Sequence, residues 1–393
     1  MKMPSATEFQ IAVIGGGIAG LCAAIALRAP GRRVTIFEQS KLLTEIGATI
    51  SLQPNASRIL DKDFQLGDIL LKTRGMIDQG FRIYNEDGKL VNNVPLASKT
   101  EYGGDRIMYH RQDLHSALRE AAKTTSRNGP PANIRTSSRV VTCDVDSGTV
   151  TLEDGNQFTA DLIVAADGIH SNIRDIVVGE KTQTVPTGLS AYRFMVPSSI
   201  LEQKAPKFCE HIKPRDAFTS MMMAHSCRLI MGPAREGDLY SVVGLVPDER
   251  MSEDPNSKQS WVSRGDLNKM LETYKDFPEW VKDSFRQADD IGLWQLRDID
   301  PLKTWTKGRA ILIGDAAHAM LPTQGQGASQ AVEDAEAVGA FFDDVTAAPS
   351  KADVEKRLRS VVDCRLERAN LIQRYSREAA KPATDKGSKE VKM

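Results

Sequence analysis

The 393-residue chain has only five cysteines, Cys22, Cys143, Cys209, Cys227 and Cys364, and they are far apart with no C-x-x-C pair. An odd, scattered set excludes a disulfide scaffold and a redox dithiol, and it gathers no thiolates for a metal. No metal is expected, and reduced thiols point to a cytoplasmic protein. Long apolar runs are also missing: none approaches the ~18 residues of a membrane span. Met1–Gln10 lacks a basic start followed by an apolar core, so no signal peptide is read there. The C-terminal Val391-Lys392-Met393 shares only its lysine with the Ser-Lys-Leu peroxisomal pattern. Charge of one sign is not in excess either, with 51 Lys and Arg against 52 Asp and Glu, so a nucleic-acid partner is not expected. No internal repeat is evident, and the composition says nothing about oligomeric state.

What the chain does have is a nucleotide signature. Ile11–Ile14 is a short apolar strand, followed by Gly15-Gly-Gly17-Ile-Ala-Gly20 opening an apolar helix, Ile18–Ala29. A second strand, Val34–Phe37, ends in Glu38, which lies 18 residues after Gly20. In this context G-x-G-x-x-G acts as a dinucleotide fingerprint. Gly15 permits the tight turn, Gly17 lets backbone approach a pyrophosphate, and Gly20 lets the helix pack closely on the sheet. The N–H groups at the helix start face the phosphates, and Glu38 can accept hydrogen bonds from ribose hydroxyls.

Two further stretches extend the signature: Asp161–Arg174 (DLIVAADGIHSNIR) and Gly308–Ala335 (GRAILIGDAAHAMLPTQGQGASQAVEDA). Together with Gly15–Glu38, in this order and spacing, they resemble the group A FAD-dependent aromatic monooxygenases, the single-component, salicylate hydroxylase-like enzymes. The resemblance spans roughly residues 8–378. It implies an α/β protein with a Rossmann-like FAD domain of the glutathione-reductase type, interrupted by a mixed β-sheet substrate domain and followed by a C-terminal helix. The expected division is 8–182 and 291–345 for the FAD domain, 183–290 for the substrate sheet, 346–380 for the C-terminal helix and 381–393 for a disordered tail.

The same resemblance assigns cofactor roles. Asp315 holds the ribityl hydroxyls of FAD. Gly325, Gly327 and Ala328 open a helix whose positive end faces the flavin's N1–C2=O edge. Asp167 touches both flavin and nicotinamide cofactor, with Arg174 in support, while Arg111 and Gly47-Ala48 contact the flavin. His318, in the same motif as Asp315, is read as a packed structural histidine. FAD is expected to be bound non-covalently. NADH or NADPH should bind only transiently, since no second dinucleotide fingerprint exists.

Between residues 183 and 290, Tyr192–Val196, Phe218–Met223 and Leu239–Val246 read as strands, Asp254–Lys258 as a polar loop and Asp266–Lys275 as a helix. Period-2 alternation places Arg193 on one face with Ala191 and Met195, opposite Tyr192 and Phe194. A cation on an apolar face suggests an anionic ligand, a carboxylate or phenolate. His225, after Met221-Met222-Met223, is a candidate to orient or deprotonate a phenol, or else a core histidine. Residues 351–378 read as an amphipathic helix with Val354, Leu358, Val361, Val362, Leu366, Ala369 and Ile372 on its apolar side and a solvated basic face.

The expected activity is hydroxylation of a small electron-rich aromatic, with NAD(P)H and O2, through a flavin C4a-hydroperoxide, as the resemblance implies. Two alternatives stay open: epoxidation of an isolated alkene or terpenoid, and a non-catalytic nucleotide-binding protein.

Overall fold

The strands Phe9–Ile14 and Arg32–Phe37, built on the apolar runs Ile11–Ile14 and Val34–Phe37, pair in parallel because the helix between them, Ile18–Leu27, carries the chain back to the same end of the sheet. The structure, a computed structural model, describes residues 8–41, 48–96, 98–224, 226–251 and 263–381. Among these, the first sheet has six strands, in the order Thr306–Lys307, Ala310–Leu312, Leu162–Ala165, Phe9–Ile14, Arg32–Phe37 and Asn133–Arg135. All neighbours are parallel except the first pair. A hairpin excursion, Thr149–Leu152 with Gln157–Thr159, turns at the Asp154-Gly155 step read from the sequence.

The first helix ends at Leu27, two residues earlier than the apolar pattern suggests. Arg28 is already extended, and Ala29 precedes Pro30, whose ring disfavours helical backbone in the residue before it. Arg28 then turns inward and donates to the carbonyls of Ala121, Ala122 and Thr124, at the end of the helix Arg111–Lys123. Arg32 does the same for the carbonyls of Leu27, Phe342 and Val345. Two buried arginines thus satisfy the carbonyls that three helix ends leave unpaired. The helix Gly327–Phe341 packs directly on the first helix: a Cβ on Gly339 would lie 2.8 Å from that of Ala26.

The second sheet has eight strands among the described residues. Their order is Ser263–Arg264, Gly292–Ile299, Thr184–Pro197, Leu239–Pro247, Cys227–Ala234, Thr219–Ala224, Gly80–Tyr84 and Leu90–Pro95. Neighbours are antiparallel apart from Thr219–Ala224 with Gly80–Tyr84, so the sheet is mixed as expected. Three of these strands, Gly80–Tyr84, Leu90–Pro95 and Gly292–Ile299, fall outside residues 183–290. The sequence division had placed them in the FAD domain, because local pattern identifies a strand but not its distant partner.

One face of this sheet carries Tyr192, Phe194 and Met222 into a core with Tyr274, Trp280 and Phe285. The other face, with Ala191, Leu245 and Leu296, packs on Leu321 and turns toward the first sheet. A buried ion pair, Arg106–Asp78, lies beside the second sheet, with Thr219 of that sheet hydrogen-bonded to both side chains. The C-terminal helix runs from Lys351 to Ala380, capped by the Ser350 hydroxyl, which accepts from the Asp353 N–H. Its buried face holds Val354, Leu358, Val361, Val362 and Ala369 as read, but also Arg365, Gln373 and Ser376. Leu366 and Ile372 are only half-buried. The basic face is therefore not wholly solvated: Arg365 points inward, because what it meets there is polar.

Candidate cofactor and substrate site

Four loops leave the carboxyl ends of parallel strands and meet at one edge of the first sheet, where open α/β folds bind ligands. Gly15 follows Phe9–Ile14 and donates its N–H to the Phe37 carbonyl at 2.8 Å. It has a φ of +100°, and a Cβ would lie 2.3 Å from the Ala166 carbonyl oxygen, so only glycine fits. Gly20 packs equally tightly, its would-be Cβ 2.0 Å from the Gly15 oxygen. Gly17 differs. Its backbone is extended, and a Cβ there would meet nothing within 4 Å. The first two glycines serve the fold, whereas the space beside Gly17 is open.

Glu38, almost fully buried, accepts the N–H of Gly16 at 2.6 Å and of Ser40 at 2.7 Å. It stitches the end of its strand to the glycine turn and still has lone pairs for a further donor. His115, absent from the sequence reading, bonds through Nε2 to the Gly16 carbonyl at 2.8 Å.

Asp167 closes the strand Leu162–Ala165. Its Oδ2 accepts the N–H groups of Asn172 and Ile173 at the start of the next helix, while its buried Oδ1 has no partner. Burial raises its pKa, against the hydrogen bond from Ser171 and those backbone donors. Arg174, itself buried, donates to the carbonyls of Ile169 and Ala316, and so joins the Asp167 loop to the Asp315 loop.

Asp315 is exposed, although its neighbours Gly314 and Ala316 are buried, so its carboxylate alone projects from that turn. Nearby, the helix Gly327–Phe341 starts without a side-chain cap, leaving donors and the positive end of its dipole available. Gln53 fixes the loop before it, donating from its Nε2 to the Gly325 carbonyl at 3.4 Å and from its backbone N–H to the Ser329 hydroxyl at 3.0 Å. Gly327 and Ala328 are half-buried at this start. Ala48 accepts the Arg111 N–H at 2.8 Å, which brings those two positions together, while Gly47 lies outside the described residues. The orphaned Asp167 oxygen, the room beside Gly17, the projecting Asp315 and the uncapped helix fit a dinucleotide with a negatively polarised ring end. These are the features FAD would require.

Arg193 lies on the sheet face shared with Ala191, as alternation predicts. It stacks on Trp294, with its guanidinium carbon 5.2 Å from the ring centroid, and its buried Nε has no partner. No ion pair forms with an acid among the described residues; burial, then the nearby Arg111 cation, lowers its pKa. Trp294 escaped the sequence reading because only strand register, Ala191 opposite Trp294, sets it beside Arg193. Of the three methionines, Met222 is buried in the far core, whereas Met221 and the exposed Met223 turn to this face. His225 lies outside the described residues.

His318 is fully buried with Nε2 2.6 Å from Asp334 Oδ2, the packed role expected of it. Asp334 was not singled out by the sequence reading. The available signal is Glu333-Asp334, two adjacent acids midway along an alanine-rich helix, with Arg365 and Arg368 to match them in the last helix.

Comparison with known proteins agrees with this geometry. The chain matches the FAD binding domain family over residues 8–354. Hispidin-3-hydroxylase from Neonothopanus nambi is 34% identical over 383 residues, covering 94% of this chain and 88% of that protein. 3-Hydroxybenzoate 6-hydroxylase 1 from Aquipseudomonas alcaligenes is 29% identical over 379 residues, with the same two coverages, 94% and 88%. The solved structure of a salicylate hydroxylase substrate complex superposes with a TM-score of 0.78 at 29% identity, over 95% of this chain and 88% of that one.

Proposed function

Because the chain belongs to the FAD-binding class A aromatic hydroxylase family, we propose that it hydroxylates a phenolic or carboxylated aromatic ring, seated by Arg193. It is an FAD-dependent monooxygenase of the kind that uses NAD(P)H. When bound, FAD would supply the redox chemistry, hydride acceptance and activation of O2.

The observation that carries the substrate reading is Arg193, a cation on an apolar face with no acid paired to it among the described residues. A buried cation without a counter-ion is costly, and an anionic ligand removes that cost. The salicylate and 3-hydroxybenzoate relatives are named for ring carboxylates, in keeping with this polarity. The guanidinium, over the Trp294 ring, pairs with a carboxylate or phenolate and so orients the ring, and a phenolate is also the more electron-rich ring. Met221, Ile230 and Val243 supply apolar wall around it. His225 keeps its proposed role as acceptor of the phenol proton on sequence grounds. For the nucleotide, Gly17, Glu38, Asp167, Asp315 and the start of the helix at Gly327 would hold FAD, with Arg111 and Ala48 at its reactive end.

The test is a screen of phenols and aromatic acids that follows NAD(P)H consumption, peroxide and product together. For the true substrate, Arg193→Ala should retain FAD, raise KM and divert NAD(P)H oxidation to peroxide. Wild-type coupling and KM in that variant would sink the Arg193 reading.

A further inference from the structure

The Asp315 turn is held from an unexpected direction. Gly314, just before Asp315, has φ +58° and ψ −141°, which glycine alone adopts comfortably, and a Cβ there would lie 2.8 Å from that of Ala19. Its N–H, inside the protein, donates to Asp334 Oδ2 at 2.9 Å. The same oxygen receives His318 Nε2 at 2.6 Å, and Oδ1 receives Arg365 Nε at 3.0 Å. Arg365 comes from the C-terminal helix, outside the three nucleotide motifs. It is buried, and its other nitrogens reach Glu333 and the Gln330 side chain. Glu333 is gripped in turn by Arg368 and by Asn55. Asp334 is therefore a completely buried carboxylate with three donors, one of them the backbone that sets where Asp315 points.

We propose that Asp334, held in place by Arg365 and His318, is a positioning residue for Asp315, so that the C-terminal helix forms part of the cofactor site. This rests on the reading that Asp315 holds FAD. With asparagine in its place one of the two oxygens becomes an N–H donor, so either the Gly314 and His318 donors or the Arg365 donor lose their acceptor, and the hold on the glycine-only turn slackens. Asp315 then samples orientations in which it cannot meet the ribityl chain, although nothing in direct contact with FAD has been altered.

A double-mutant cycle on apoprotein, titrated with FAD and read by flavin fluorescence quenching, separates positioning from general loosening. Asp334→Asn should weaken FAD binding about tenfold in the native background and less than about twofold when Asp315→Ala is already present, because its effect runs through Asp315. Equal losses in both backgrounds would overturn the proposal, as would no loss in the native one. If Asp315→Ala alone leaves FAD affinity unchanged, the underlying reading fails instead. Thermal unfolding of each apoprotein checks the fold. Should Asp334→Asn not fold, Arg365→Lys, which keeps the charge but shortens the reach to Asp334, enters the cycle in its place with the same two criteria.

Discussion

Gly17→Ala separates folding from binding more cleanly than any other change in the glycine turn. At Gly15 or Gly20 a methyl group would collide with backbone oxygen at 2.3 or 2.0 Å, so loss of FAD there would say nothing about contact. At Gly17 the backbone is extended (φ −74°, ψ −173°), which any residue adopts, and the methyl meets no atom within 4 Å. Two small terms act on the apoprotein. Removing glycine's freedom from the unfolded chain stabilises by about 0.4–1 kcal/mol. Replacing glycine by alanine at a helix N-cap costs roughly 0.5–1 kcal/mol. They nearly cancel, so the apoprotein melting temperature should move by no more than about 3 °C. If the pyrophosphate lies against Gly17, the methyl occupies its place and forces it off the helix N–H groups. Losing even one charge-assisted hydrogen bond of ~1.5–3 kcal/mol weakens FAD at least about tenfold. The assay pairs a thermal melt of the apoprotein with an FAD titration. Unchanged melting together with unchanged FAD affinity would refute the approach of a phosphate at Gly17.

Other changes probe the remaining contacts. Asp315→Ala, at an exposed position between buried neighbours, should leave apoprotein stability nearly intact and weaken FAD by ~1.5–3 kcal/mol, ten- to a hundredfold by equilibrium titration. Arg106→Met strands the fully buried Asp78 carboxylate and should cost about 3 kcal/mol in urea unfolding, the lower end for a broken buried pair, since Thr219 and Gly80 still donate to it. A loss below ~1 kcal/mol would mean that Thr219 and Gly80 alone compensate the stranded carboxylate. Burial alone would lower the His318 pKa, but the Asp334 carboxylate outweighs it and the net shift is upward. A raised histidine contributes its full stability below the ordinary value of 6.5 and loses it as pH rises through the folded value. The melting difference between wild type and His318→Asn should therefore be largest in acid and shrink from about pH 6.5 upward. Burial would raise the Asp334 pKa, but His318 and then Arg365 hold it below its ordinary 3.8, so it adds no slope above that pH. A difference independent of pH would show that His318 is not charged.

Local chemistry made much of this protein legible. Glycine at 15 and 20 can be read because close backbone approach leaves no alternative residue, whereas Gly17 follows from the fingerprint they complete. The strands read as Ile11–Ile14 and Leu162–Ala165 are legible because a doubly covered strand must be continuously apolar. Alternation placed Arg193 on the face it occupies, since side-chain direction along a strand is a local property. The order of the three motifs carried the family, and with it FAD.

Tertiary structure decided what depends on partners distant in the chain. Gly80–Tyr84 belongs to the second sheet because it pairs with Thr219–Ala224, and no property of either segment names the other. Trp294 lies under Arg193 through register alone. Leu366 and Ile372 fit the apolar period of the last helix, yet Arg365, Gln373 and Ser376 are the residues buried, because the surface they meet consists of carboxylates and carbonyls. A hydrophobic pattern predicts burial against apolar neighbours. It is silent when the neighbour is a charged helix face, as Glu333 and Asp334 are for Arg365.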